Sequence, residues 1–161
     1  MQVLDLDPGR AFYAGSLPAN ASGLLDQAMS VYTDTAQAES LLQRARAEAP
    51  EALPVYFSLY KFYFYKGRLA DAEQAVRQAL DMAARQGGFP SGYDKLEANT
   101  TDWSRHDSPQ HFYLFSLKAL AFIRLRQGDK EGCQVILDKL GELDKSDSVG
   151  GSVIGAIAAG L

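Results

Sequence analysis

The feature that most constrains this chain of 161 residues is a helical pattern that returns after 34 positions. Apolar residues recur at three- and four-residue spacing, which places them on one face of each of several helices, and no segment alternates as a half-buried strand does. Two helices share the same order of small and bulky residues: Ala38, Leu42 and Ala45, then Ala72, Val76 and Ala79. Since one helix pair cannot bury its apolar face alone, the repeat predicts an all-α chain of stacked pairs.

The segment 53–86 shows the pattern most completely. Its first helix carries Tyr56, Leu59 and Tyr63, a glycine marks the turn, and the alanine-rich helix follows. This order resembles the tetratricopeptide repeat, in which an aromatic, a leucine and a tyrosine of helix A precede the small and bulky residues of helix B. The departure is Tyr60, which stands where the family prefers a small residue, so we expect an altered distance or angle between the two helices.

Two further segments keep part of the pattern. Residues 19–52 retain the small and bulky positions of helix B but lack the aromatic residue of helix A. In residues 112–145 the pattern positions lie 61 residues after those of the second repeat instead of 34, with Cys133 in place of the first alanine, Ala72, and Arg124 in place of the tyrosine, Tyr63. The resemblance therefore covers three repeats and leaves an inserted segment before the third.

Together the repeats imply one domain over residues 1–161, built as a right-handed stack of three antiparallel helix pairs. A loop insertion at 86–111 separates the second pair from the third, and a C-terminal capping helix is expected at 146–161. In this helix we expect Ser152 to be the N-cap, and Gly151, Gly155 and Ala159 to form a ridge of small residues that allows close packing. Such a cap suits a stack of repeats, because its last pair would otherwise expose an apolar face. The alternatives are a dimer contact or a flexible tail.

The resemblance also implies where a partner would bind. In stacks of this kind the A helices line a concave groove, and matching positions gives an aromatic and basic surface in this chain. It consists of Gln27, Ser30, Phe57, Lys61, Phe64, Tyr65, Lys118, Phe122 and Arg126. Aromatic walls with three cations suit a peptide or helix of another protein that carries apolar anchors and an acidic group. We therefore expect a protein–protein interaction module, an adaptor or assembly factor.

The aromatic run at residues 56–65 leaves more than one interpretation open. Seven of its ten residues are aromatic. A helix that packs on a core buries one stripe of its surface, so some of these rings are expected to face the groove or a partner. The alternatives are that the core, the insertion and the terminal segments together bury all seven, or that the aromatic surface serves self-association in a homodimer.

Composition argues against several other classes of protein. The net charge of −4 disfavours nucleic acid as a partner, because phosphates select basic surfaces. No segment has the roughly 18 to 20 apolar residues that a membrane span needs. The first ten residues, MQVLDLDPGR, do not form a signal-peptide pattern, and a single cysteine, Cys133, excludes an intrachain disulfide. We expect a cytoplasmic protein with Cys133 packed as a small apolar residue and, since no phosphate loop is present, without a cofactor.

The stretch DWSRHDSPQH, residues 102–111, holds both histidines and the only tryptophan. His106 and His111 are five positions apart and do not share a helix face, and no third histidine could complete a zinc site, so we predict no metal. No nucleophile motif accompanies them, so we predict no enzyme. A structural role explains more: Ser108 caps a helix that begins with proline, and Trp103 anchors the insertion. The alternative is a small enzyme or ligand-binding protein that uses the insertion with His106 or His111.

Overall fold

A computed structural model describes residues 17–160. Over this range the backbone forms seven α-helices and one short 3-10 helix at Tyr93–Lys95, and it contains no strand, which confirms the prediction of an all-α chain. The helices are α1 (Ala19–Ser30), α2 (Thr35–Glu48), α3 (Leu53–Tyr65), α4 (Leu69–Gly87), α5 (Pro109–Arg126), α6 (Lys130–Leu143) and α7 (Gly151–Ala159). None of these helices is both long enough and apolar enough to cross a lipid bilayer.

The described chain divides into two compact units within α4. The N-terminal unit, residues 17–82, contains α1, α2, α3 and most of α4. The C-terminal unit, residues 83–160, contains the end of α4, the 3-10 helix and α5 to α7. The right-handed stacking of three repeats in one domain stays a prediction.

The repeated positions form the core of the N-terminal unit. Helix α2 packs against α1 and α3. The small and bulky residues that repeat after 34 positions are all buried: Ala38, Leu42, Ala45, Ala72, Val76 and Ala79. Alanine at these places lets neighbouring helices approach closely, so the spacing seen in the sequence corresponds to packing in the structure.

Two glycines end the first helices of the second and third predicted repeats in the same way. Gly67 and Gly128 have φ values of 75° and 84°, a conformation that costs other residues energy because of their Cβ atoms. The N–H of the residue after each glycine donates to the carbonyl five positions earlier, at 2.9 Å in both turns. The two glycines are 61 positions apart, the offset between the repeats themselves.

Helix α7 packs on α5 and α6 in the C-terminal unit, where the sequence predicted a C-terminal helix. A Cβ atom on Gly151 would lie 2.7 Å from the Leu140 Cδ2 atom, so a larger residue there would have to displace the Leu140 side chain. The prediction that Ser152 is the N-cap was wrong. Gly150 holds that position, and the hydroxyl and N–H of Ser152 both donate to the Asp147 carboxylate, which supplies the acceptor that the first turn needs.

Candidate functional site

The aromatic residues of α3 divide into a buried set and a partly exposed set. Five of the seven are buried: Tyr56, Tyr60, Phe62, Tyr63 and Phe64. Phe57 and Tyr65 are only partly buried. They share one helix face with Lys61, because the three residues follow one another at four-residue intervals. The interpretation that all seven rings are buried is therefore wrong, since five are buried and two are only partly buried. Self-association through this aromatic surface stays a prediction.

An apolar cavity of about 270 Å³ lies along this face, between α1 and α3. Helix α1 contributes a stripe at three- and four-residue spacing, and α2 contributes one leucine. The full lining, called the aromatic cavity below, is Leu25, Ala28, Met29, Tyr32, Leu42, Phe57, Ser58, Lys61, Phe62 and Tyr65. Lys61 is the one charged residue among these ten. The side chain of Met29 is 70% exposed at the rim, so the cavity is accessible from solvent.

Contacts between rings and lysines fix the walls of the aromatic cavity. Tyr32 and Phe62 meet edge to face with ring centroids 5.9 Å apart. The Lys66 ammonium lies 3.9 Å from the centroid of the Tyr32 ring and donates to the Tyr32 carbonyl at 2.9 Å, so it holds the end of α1 against α3. The Lys61 ammonium lies 5.6 Å from the centroid of the Phe57 ring. Burial, with a smaller contribution from Tyr65, raises the pKa of Tyr32 and keeps its hydroxyl neutral.

A polar network on the other side of α3 sets the rotation of that helix. The Tyr63 hydroxyl donates to Glu39 at 2.6 Å and accepts a hydrogen bond from Gln43 at 2.8 Å, which joins α3 to α2. The Arg68 guanidinium donates two hydrogen bonds to the Glu39 carboxylate, at 2.8 and 3.0 Å, and a third to Asp71. Arg68, and after it Tyr63, lower the pKa of Glu39, while burial is the main cause that raises the pKa of Tyr63. With Tyr63 held inward, the face of Phe57 and Tyr65 turns to the aromatic cavity.

The predicted groove residues of the N-terminal unit occupy three kinds of position: some line the aromatic cavity, some are exposed outside it, and one is buried. Phe57, Lys61 and Tyr65 line the aromatic cavity. Gln27 and Ser30 are exposed on α1 outside the lining, and the Ser30 hydroxyl donates to the Gln27 carbonyl at 2.7 Å. Phe64 was predicted to face a partner, but its side chain is buried, which does not fit that role.

The remaining three predicted groove residues lie on α5, in the C-terminal unit. Phe122 is buried, so the prediction that it contacts a partner does not fit its position. Arg126 is exposed, and Lys118 is half-buried with its ammonium 5.6 Å from the centroid of the Phe115 ring. That these residues form one groove with those of α3 stays a prediction.

Sequence reasoning missed the α1 side of the aromatic cavity. Leu25, Met29 and Tyr32 recur at three- and four-residue spacing, which places them on one helix face. The same spacing cannot distinguish residues that touch a neighbouring helix from residues that border an opening. One signal in the sequence was available. The apolar face of α1 precedes a helix, α3, that has more aromatic residues than one buried face can hold.

The stretch 102–111 is an ordered connection in the C-terminal unit. Trp103 is 7% exposed, its indole N–H donates to the Glu97 carbonyl at 3.1 Å, and its ring lies 5.1 Å from that of Phe89 and 6.1 Å from that of Tyr113. The Ser108 hydroxyl accepts a hydrogen bond from the N–H of His111, and Pro109 begins the helix. The predictions of a tryptophan anchor and a serine N-cap are confirmed.

The two histidines stack on each other without forming a cluster of metal ligands. Their ring centroids lie 4.9 Å apart at an interplanar angle of 25°. His106 is exposed, whereas His111 is 6% exposed. Burial, and after it the neighbouring His106, lowers the pKa of His111. Within residues 17–160 no three acidic, histidine or cysteine side chains come close enough to hold a metal ion, and Cys133 is buried, with its pKa raised chiefly by that burial.

Comparison with known proteins gives one informative similarity. The chain is 27% identical over 156 residues to the "Uncharacterized 19.8 kDa protein in nifW 5'region" of Azotobacter chroococcum mcd 1. The similarity covers 96% of this chain and 86% of that protein, so the aligned region includes nearly all of both units. No family model matches the chain, and no solved structure matches it significantly.

Proposed function

We propose that this protein is a tetratricopeptide-like interaction module, an adaptor or assembly factor that holds a peptide or helix of another protein in the aromatic cavity. The observation that carries the proposal is the opening between α1 and α3, which is lined by aromatic and aliphatic side chains and bordered by an exposed methionine. A partner that buries Met29 and fills the cavity gains apolar burial, the main favourable term in protein association.

The lining of the aromatic cavity is almost entirely apolar, which suits an apolar anchoring side chain of a protein partner. The cavity has a volume of about 270 Å³. Among the lining residues, only Lys61, Ser58 and the two tyrosines, Tyr32 and Tyr65, carry polar side-chain atoms. Aromatic pockets of this kind receive the central anchor residue of a protein partner, which carries a large share of the binding energy.

The rim residue Met29 allows a matched test of this function. Met29→Asp places a charge at the rim of the aromatic cavity, and Val135→Asp makes a similar change at a residue that is 58% exposed on α6. Both side chains project from the surface, so each variant is expected to keep the circular dichroism spectrum of the wild type. The immobilised proteins are exposed to an extract of cells that make the chain, and the retained proteins are identified by mass spectrometry.

We expect a protein that wild type and Val135→Asp retain equally and that Met29→Asp loses. If all three forms retain the same proteins, the aromatic cavity is not the interaction surface.

A further inference from the structure

We propose that the N-terminal unit has a second binding site, a polar cavity between α2 and α4 that takes a small carboxylic acid with amide or hydroxyl groups, and that Arg46 binds the carboxylate. This cavity shares no lining residue with the aromatic cavity. The inference is therefore independent of the proposed function.

The polar cavity has a volume of about 280 Å³. Three buried residues, Leu59, Tyr63 and Ala75, contribute to its lining. The other six are polar or charged and come in equal numbers from two helices: Glu39, Gln43 and Arg46 from α2, and Asp71, Gln74 and Gln78 from α4. Each set follows a spacing of three and four positions, which places it on one helix face. Such a lining suits a ligand that forms hydrogen bonds.

Arg46 marks one end of the polar cavity. Its side chain is half-buried, and its guanidinium donates to the side-chain oxygen of Gln78 at 2.7 Å, which joins α2 to α4. Among residues 17–160 no carboxylate forms an ion pair with it, so its remaining N–H groups lack an acidic partner there. A guanidinium is planar and can donate two parallel hydrogen bonds to one carboxylate. This geometry makes Arg46 the site for the charged end of the ligand.

The opposite end of the polar cavity carries two carboxylates, which the Arg68 guanidinium joins: those of Glu39 and Asp71. Glu39 lies seven positions before Arg46, and Asp71 lies seven positions before Gln78, so the ends are ~10 Å apart along the helices. Arg68 donates to Oδ2 of Asp71, and no side chain in the described part of the unit donates to Oδ1. An N–H or O–H group of the ligand can therefore donate to Asp71 while the carboxylate binds Arg46.

Glutamines between the two ends favour amide and hydroxyl groups in the middle of the ligand. Gln43 donates to the Tyr63 hydroxyl at 2.8 Å and keeps its carbonyl oxygen as an acceptor. Gln74 forms no side-chain hydrogen bond within residues 17–160. Each side-chain amide has both donors and an acceptor, which complements groups of the same kind. A doubly charged phosphate suits the cavity less than a carboxylate, because two acidic side chains share the lining.

The test uses two probes that differ at one end. N-acetylglycylglycine carries a carboxylate and two amide groups over a length of roughly 10 Å, and its C-terminal amide replaces the carboxylate with a neutral group. Each probe is titrated into the full chain, and binding is followed by backbone amide shifts in NMR spectra. Three protein forms are compared: wild type, Arg46→Gln, which keeps a hydrogen-bonding partner for Gln78, and Arg44→Gln, the same change at an exposed arginine of α2 outside the lining.

We expect the acid to bind wild type and Arg44→Gln about fivefold more tightly than its amide, with shifts centred on Gln43, Arg46 and Gln78. The two probes should bind Arg46→Gln equally, and added salt should weaken only the binding of the acid to wild type. Circular dichroism verifies that each variant is folded. Should Arg46→Gln fail to fold, Arg46→Lys, which keeps the charge without the paired N–H donors, is expected to lose part of the preference for the acid.

Several results would overturn the inference. If both probes bind wild type equally, or if the preference for the acid survives in Arg46→Gln or remains complete in Arg46→Lys, Arg46 does not bind the carboxylate. If neither probe shifts any residue of the polar cavity at its solubility limit, the cavity does not bind ligands of this class. A longer peptide that ends in the same two glycines and a free carboxylate should bind no more tightly than the acid. Tighter binding would assign the cavity to a polypeptide terminus instead of a small molecule.

Discussion

Two segments of this protein concentrate unusual side chains, and the structure uses them in opposite ways. The aromatic run of α3 keeps Phe57 and Tyr65 at the edge of a cavity, although its other rings are buried. The stretch 102–111 looks more like an active site in sequence, yet the structure uses its tryptophan as an anchor and its serine as a cap. The comparison shows that rare residues in a sequence can serve packing and helix capping alone, whereas others keep part of their surface accessible.

We expect the largest difference between the two segments in how far the loss of one aromatic side chain lowers the free energy of unfolding. Trp103→Ala removes a buried ring that packs on two others and breaks its hydrogen bond to Glu97, so the free energy of unfolding should fall by about 3–5 kcal/mol. Phe57→Ala removes a ring that is partly exposed and should cost about 1–2 kcal/mol. Urea unfolding followed by circular dichroism measures both values. Equal losses would show that Phe57 belongs to the core and would remove the distinction.

A smaller difference is expected in the response to pH. The pKa of His111 is lowered in the folded chain from its ordinary value of 6.5, chiefly by burial, so the folded state binds fewer protons than the unfolded state at mildly acidic pH. The contribution of His111 to stability is therefore complete above pH 6.5 and decreases as the pH falls below it. His111→Phe should flatten the pH dependence of the urea midpoint between about pH 7 and 5.

The control for this prediction is His106→Gln. His106 is the second cause of the shift, behind burial, so its removal should leave most of the pH dependence in place. If wild type and His111→Phe lose stability in parallel on acidification, the buried histidine is not the titrating group. The aromatic cavity has no histidine in its lining, so no comparable response is expected from it.

Local signals in the sequence were sufficient for the helices and for several of their ends. The cap at Ser108 is a short-range feature, because the Ser108 hydroxyl accepts a hydrogen bond from the N–H of His111, three positions further on. Such predictions succeed because the interacting groups are three or four positions apart in the chain.

The candidate site depended on distant packing and could be predicted only in part. The register of the repeat identified Phe57, Lys61 and Tyr65, but it also selected Phe64 and Phe122, which are buried. Position within a repeat determines which way a residue points, whereas neighbouring helices determine whether anything covers it. The prediction that Ser152 is the N-cap failed for a related reason. The Asp147 carboxylate, five positions earlier, accepts the hydrogen bond from the N–H of Ser152 in the first turn.

The central claim is that the aromatic cavity, and not the histidine stretch, is the surface that binds a partner. The most direct measurement captures proteins from the native cell with wild type, Met29→Asp and His106→Ala, each verified as folded by circular dichroism. Both substitutions fall on exposed side chains, one at the rim of the aromatic cavity and one on the histidine stack. The account predicts that His106→Ala retains the partner and that Met29→Asp loses it. A partner that survives Met29→Asp and is lost with His106→Ala would contradict it.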